Sequence, residues 1–436
     1  MAMSQPRDVY GSLDLALRIG DLMLSSGGGA ADVEATMLAV ARACGLHGVD
    51  ADVTFTELRL QQQSRIDVPA SILVRRVRRR PVDYDRLIRV DLVVQDLLDG
   101  TTTPDEARHR TVAIESSRHP RARWLVTMSW GAVGAALAIT LGGGPVVSLL
   151  AFVAACSIDL VGRATRNRVP SFYQQAAGGF LATLIAVGAA ATGIEADPSL
   201  IVTAGIIVLL AGIGLMGAMS DALTGYPVTA SARLLEAMLA TTGIIAGVAA
   251  GLTVADLAGA DLGRVVPGAT GFVQGSAMTV GAALAAAAYG LASYAPIRAA
   301  SAAAVVAGCG QALFLVVERA PVAQTWAAAA AAVVVGTTSY GIARRVRVPP
   351  LVLIVPAIVP LLPGLTIYRG LALLAEGKKD GVLELAAAGA TAIALAAGVI
   401  LGEYLVQPLR RGSRIAGPRL AGSHLPGPRR RRSRPR

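Results

Sequence analysis

Hydrophobic positions along this chain follow two regimes. Over the first 123 residues they are spaced. Leu13, Leu17, Leu22 and Leu24, then Val33, Met37, Val40 and Ala41, recur at the three-to-four-residue period of two amphipathic helices, with Gly27-Gly28-Gly29 as the turn between them. Alternation through Val53, Phe55, Leu58 and Leu60, then through Ile72, Val74 and Val77, predicts two short strands around a loop at 61–69. Two further helices are expected at about 83–99 and 104–117, with Asp83 and Thr103 as N-caps and Gly100 ending the first. The order ααββαα predicts a small α+β domain over residues 1–123.

From Trp124 the spacing gives way to continuous apolar stretches. Crossing a bilayer takes about 20 residues at about 1.5 Å each. Ten stretches meet that length: 124–141, 146–162, 173–192, 199–218, 234–253, 272–292, 297–317, 322–343, 351–374 and 384–406. Trp124, Trp130, Tyr173, Tyr289, Tyr294, Tyr340 and Tyr404 stand near span ends, where amphipathic rings favour the interface. The expected fold is an α-helical polytopic membrane protein behind a cytoplasmic α+β head.

The ninth span contains Pro349, Pro350, Pro356, Pro360 and Pro363, followed by Gly364. Proline removes a donor and clashes with the preceding turn, so this span must be broken or re-entrant. Such backbone is tolerated at membrane depth only when it is buried in protein or lines a cavity, which makes the segment a transport-path candidate. Gly243, Gly247 and Gly251, four apart, lay a smooth face along span five for close helix packing.

Charge refines this division. The net +11 divides unevenly: residues 1–123 carry 17 basic and 17 acidic side chains, 124–406 carry 13 and 12, and 407–436 carry 10 and none. The basic excess is therefore a C-terminal tail, rich in Arg, Pro and Gly, that reads as disordered and able to attract anionic lipid at about 1 kcal/mol per residue. No specific nucleic acid partner is expected. The run Arg75-Arg76-Val77-Arg78-Arg79-Arg80 has no interleaved aromatics and reads as a solvated strand end. The first twenty residues contain Arg7, Asp8, Asp14 and Arg18 and no apolar signal core, so the head is expected in the cytoplasm. Loops placed inside on that basis hold eight basic residues, against five outside, which puts both termini on the cytoplasmic side. Three cysteines and four scattered histidines match no disulfide framework or metal motif, and no cofactor is expected.

A carboxylate in hydrocarbon costs roughly 2.5–3.5 kcal/mol, so each one needs a reason. Asp159 can pair with Arg163 one turn later or take up a proton. Asp221 sits with Ser220, Thr224 and Gly225 where span four meets its loop, a setting that suits an ammonium group or small zwitterion; the alternative is a helix N-cap. Arg233 and Glu236 can pair across one helix face, and Glu403 falls at the interface. The triple glycine at 27–29 could hold an anion on its N–H groups, but it lacks the Lys-Ser/Thr of a P-loop and reads as a plain turn.

Several segments, in this order, give the chain a family likeness: Ser26-Gly27-Gly28-Gly29 through Val33-Glu34-Ala35-Thr36-Met37, Pro81-Val82-Asp83-Tyr84-Asp85-Arg86-Leu87, Leu141-Gly142-Gly143-Gly144, Ser220-Asp221-Ala222-Leu223-Thr224-Gly225, and Leu362-Pro363-Gly364 with Tyr368. Over about residues 10–406 the chain resembles the threonine/serine exporter family. The resemblance implies a secondary transporter that moves small hydroxy amino acids out of the cytoplasm on the proton gradient. It points to the surroundings of Asp221 and to the Pro363-Gly364 break, with Asp221 and Asp159 as the candidate coupling carboxylates. It also implies two inverted five-span halves, residues 124–253 and 254–406, with a site between them. Leu215-Met216-Gly217 departs from the pattern, standing where the first half would match the Pro-Gly break. Internal repeat markers give conflicting offsets, 148 for Leu234–Ala237 against Val382–Leu385 and 179 for the two Arg-Val-Pro motifs.

The implied partners are a small polar amino acid and protons, and a homo-oligomer stays open. A membrane-embedded enzyme finds no catalytic set in the spans, whereas a passive channel or membrane-anchored regulatory scaffold remains as the alternative to transport.

Overall fold

A computed structural model describes residues 6–63, 68–77, 82–117, 119, 121–166, 168–192, 197–207, 209, 212–257, 272–320, 323–375 and 378–411. The C-terminal residues 412–436, on which most of the basic tail falls, lie outside the described residues, as do Arg78–Arg80.

The head begins with α1 (Pro6–Ser25) and α2 (Ala30–Ala43), joined by the predicted glycine turn. Three strands follow, not two: β1 (Val49–Val53), β2 (Glu57–Gln62) and β3 (Ser71–Arg76), antiparallel in the order β1-β2-β3. The alternating run at 53–60 contains a reversal, closed by the Thr54 N–H donating to Glu57 O at 2.9 Å, so Val53 pairs with Leu58. Alternation runs on odd positions to Phe55 and on even positions from Leu58, and that change of phase marks the turn that a single-strand reading passes over. Next come α3 (Tyr84–Leu98), where the Asp83 side chain accepts from Arg86 N–H at 3.0 Å, and α4 (Pro104–Ser116), where Thr103 accepts from Glu106 N–H at 3.3 Å. Leu13, Leu17, Val33, Met37, Leu58, Leu60, Tyr84 and Val94 meet in a closed core. Arg75 bonds Asp21 at 2.7 Å and Glu115 at 3.0 Å, which ties it to α1 and α4, while Arg76 is exposed as a solvated strand end predicts.

The apolar part forms α5 (Arg123–Thr140), α6 (Pro145–Thr165), α7 (Ser171–Ala191), α8 (Pro198–Ile207), α9 (Gly212–Leu223) and α10 (Pro227–Leu257). It continues with α11 (Phe272–Ala292), α12 (Ile297–Glu318), α13 (Gln324–Val346), α14 (Leu351–Ile358), a 3-10 turn at Val359–Leu361, α15 (Gly364–Ala375) and α16 (Asp380–Arg411). Seven helices among the described residues are long and apolar enough to cross a membrane. Trp124 is 68% and Trp326 71% exposed, beside exposed Leu160, Leu235, Leu239 and Val316, the apolar exterior that lipid requires.

The proline-rich ninth span is divided, as its sequence requires. The fourth gives two described helices, α8 and α9, with Leu209 in a turn after α8, its N–H donating to Ile206 O at 2.8 Å; Leu215-Met216-Gly217 falls within α9. Pairings then repeat: α5 on α6 and α11 on α12, α7 on α10 and α13 on α16, α9 on α10 and α15 on α16. Pro145 and Ile297, Ser171 and Gln324, Pro198 and Leu351, Gly212 and Gly364, Pro227 and Asp380 each lie 152 or 153 residues apart. Neither sequence offset, 148 or 179, matches this spacing. The two sets meet along α5 and α11, and along α9 and α16. Gly243, Gly247 and Gly251 lie against Phe172, Ala176 and Thr183 of α7, as a smooth face predicts.

Candidate functional site

The site forms where two helix ends face each other. At the end of α9, Gly225 takes φ +95°, its N–H donates to Ala222 O at 3.3 Å, and Tyr226 N–H donates to Asp221 O at 2.8 Å. This paired bonding closes a helix through a left-handed residue, which glycine adopts without steric penalty. The turn after α1 uses the same device: Gly27 has φ +99°, its N–H donates to Leu24 O at 3.2 Å, and Gly28 N–H donates to Met23 O at 2.8 Å. Gly225 therefore stops a helix and does not loosen one. Thr224 turns its hydroxyl back to Ser220 O at 2.9 Å, away from the neighbouring carboxylate.

Asp221 is buried and bridges this junction. Its Oδ1 accepts from Ala30 N–H, the first residue of α2, at 3.1 Å, and its Oδ2 pairs with Arg233 Nη1 at 3.1 Å. Arg233 Nη2 also donates to Gly28 O at 3.1 Å. Asp221 does not cap the helix that follows its own span; it meets the N-terminus of α2, 191 positions away, whose N-cap residue is Gly29. Arg233 is held by this carboxylate instead of by Glu236, which is exposed, because a buried anion attracts a guanidinium more strongly than a solvated one. The triple glycine is a turn: Gly27 and Gly28 N–H bond the end of α1, and the carboxylate is met by Ala30 N–H, one residue beyond the glycines.

Further contacts surround the seam. Tyr226 donates its hydroxyl to Glu34, and burial followed by that bond raises its phenol pKa, so it remains a donor. Thr229 Oγ1 donates to Val53 O at 3.2 Å. Asp32 is carried up to about 7, first by burial and then by the like charges of Glu403 and Asp221. A second contact lies between the head and the turn after α11. Tyr84 N–H donates to Ser293 O at 2.9 Å, Arg121 donates to Leu291 O at 2.6 Å and to Ala295 O, and His119 stacks on Tyr294 at 4.2 Å. The head therefore touches both helix sets.

The other predicted residues lie elsewhere. Asp159 pairs with Arg163 at 2.6 Å, and Arg163 also reaches Thr127 and Arg123 O; none of these touches Asp221. Of the two readings of Asp159, pairing is the one seen. The break at Pro363-Gly364 ends a deeply buried segment in which Val352, Leu353, Ala357 and Ile358 are almost inaccessible. Tyr368 belongs to α15, but its side chain lies outside the described residues. Among the described residues no group of His, Cys, Asp and Glu could hold a metal ion.

Comparison with known proteins decides the family. Residues 14–255 match a family model described as "Putative threonine/serine exporter", and residues 278–405 match a second, "Threonine/Serine exporter, ThrE". The chain belongs to the threonine/serine exporter family. A relative from Mycobacterium tuberculosis, named "Probable threonine/serine exporter", is 37% identical over 425 residues, 93% of this chain and 80% of its own length. Another from Corynebacterium glutamicum, named "Threonine/serine exporter", is 36% identical over 424 residues, 93% of this chain and 84% of its own. No solved structure matches. The family is one of exporters, and the chain is a multi-pass membrane protein within it.

Of the predicted residues, Ser220, Asp221, Thr224, Gly225 and Arg233 share one neighbourhood; Asp159 and the 363–364 break do not join it in any contact described. Sequence reasoning missed Asp32, Glu34 and Tyr226 as members and left Glu403 as a merely interfacial residue. The available signal was Asp32, three residues after the triple glycine, where an acidic residue suits a helix's first turn.

Proposed function

We propose that this protein is a proton-coupled secondary exporter of threonine, serine or similar small polar amino acids in the plasma membrane. The observation that carries the reading is likeness to proteins named threonine/serine exporters over 93% of the chain. The paired short helices α8–α9 and α14–α15 support it, because broken helices at equivalent places are how many transporters put backbone groups around a substrate at the repeat interface. On this reading α5, the two broken segments and the seven long helices make ten crossings in two five-helix halves, 124–253 and 254–406. The head, 1–123, and the basic tail, 407–436, are both cytoplasmic. Pro363, Gly364 and Tyr368 flank the substrate path, and Asp221, Arg233, Ser220, Thr224 and Gly225 form its cytoplasmic end. Asp159, bonded to Arg163, braces α6. Anionic lipid attracts the tail.

Counterflow of labelled threonine in proteoliposomes, with and without an imposed pH gradient, tests the reading. Net flux that responds to the gradient is expected. Flux indifferent to it removes proton coupling, and absence of threonine and serine flux removes the exporter assignment.

A further inference from the structure

The carboxylates at the seam between head and membrane helices are not equivalent. Asp221 faces donors, Ala30 N–H and the Arg233 guanidinium, each at 3.1 Å, and both favour its ionised form. Asp32, two positions further along α2, has no cationic partner among the described residues. The charged groups within its electrostatic reach, Asp221 on α9 and Glu403 on α16, carry its own sign. The nearby Arg233 is engaged by Asp221 and Gly28, and Tyr226 by Glu34. A methyl group placed on Gly29 would lie 3.7 Å from Asp221 Oδ1 and 3.8 Å from Asp32 Oδ2, so the two carboxylates converge on one glycine. Asp32 is half-buried, and ionising it sets a third negative charge against two others; a proton on it removes that repulsion.

We infer that Asp32 is the proton-exchanging group of this seam, and that the loss or gain of its proton decides whether α2 leaves or stays on Asp221. The docked head holds α9, α10 and the turn after α11 together, so undocking frees the ends of both helix sets to move independently. Asp221 is then a fixed anchor, and the titration belongs to its neighbour on the head. The transport part of the test rests on the exporter reading; the docking part does not.

Asp32 docked titrates at about 7, against roughly 3.9 for a solvated aspartate, so the docked state holds the proton more tightly. Docking is firm at acid pH and weakens as pH rises through that window, by at most about tenfold per pH unit. Above about 7 no further loss occurs.

Hydrogen exchange of the amides at 28–33, followed in the full-length protein in nanodiscs and corrected for the intrinsic pH dependence, reads docking directly. Protection of Ala30 N–H is expected to fall about tenfold between about pH 6 and pH 8. Asp32→Asn should remove that pH dependence while keeping the protection seen at acid pH, and Asp32→Glu should keep a titration. Flat protection in the wild type, or an Asp32→Asn variant that follows the wild-type curve, overturns the inference. In proteoliposomes, the pH profile of threonine counterflow, each variant scaled to its own maximum, should flatten in Asp32→Asn only. A wild type that carries neither threonine nor serine removes the exporter reading and leaves the exchange result to decide the role of Asp32.

Discussion

Asp221 satisfies a helix N-terminus and a guanidinium at once, and that double duty makes it costly to remove. Asp221→Ala leaves Arg233 and Ala30 N–H without their partner in a buried place, and breaking such a pair costs about 3–5 kcal/mol. A lowered melting temperature of the purified protein is expected, and adding Arg233→Met should restore part of the loss, since the stranded charge goes with it. An Asp221→Ala variant as stable as the wild type would mean that the seam adds nothing. Gly225 offers a second test. Alanine there is forced to φ +95° and should cost about 1 kcal/mol, whereas Gly144→Ala, with φ −73° and nothing within 4 Å, should change melting by less than about 0.5 kcal/mol. At this scale the sequence shows which charges are out of place in apolar surroundings. It does not show Ala30 as the partner of Asp221, because no local pattern links positions 191 apart.

Helix–helix contact decides the next level. A side chain on Gly247 would run into the Ala176 carbonyl, and backbone cannot yield as a side-chain tip can. Gly247→Val should therefore lower stability by about 1–3 kcal/mol, seen as a depressed melting temperature with loss of folded protein in detergent. Pro363→Ala acts in the opposite sense. It returns a backbone donor and lets α14 and α15 approach one continuous helix, so melting should rise while threonine counterflow slows. Counterflow as fast as in the wild type would remove this break from the transport path. Five prolines made that interruption legible in advance. The fourth span, which gives α8 and α9, has no proline between them to announce two helices, and the hydropathy of residues 199–218 reads as one unbroken span. The third strand was marked only by a one-residue change of phase: inward positions are odd up to Val53 and even from Leu58, across a tight turn at 54–56.

For the whole molecule, the repeated helix order and the separate family matches to 14–255 and 278–405 divide the apolar part at one connection, residues 258–271. Residues 1–257 and 272–436 expressed as two chains should therefore copurify and restore threonine flux, held by α5 on α11 and α9 on α16. Failure to copurify would show that the covalent link, and not the helix interface, keeps the sets together. The sequence by itself determined the membrane class, the proline break and the family likeness. Each of these is written in local hydrophobicity, charge density or contiguous motifs, which act over a turn or a span. Only the tertiary structure decided that the glycine turn of the head seats on Asp221, that Arg233 turns away from Glu236, and that Asp32 faces Glu403 from the far end of the chain. Those pairings depend on which surfaces meet when buried charges seek their least costly partners, and a choice made in three dimensions leaves no period in the sequence.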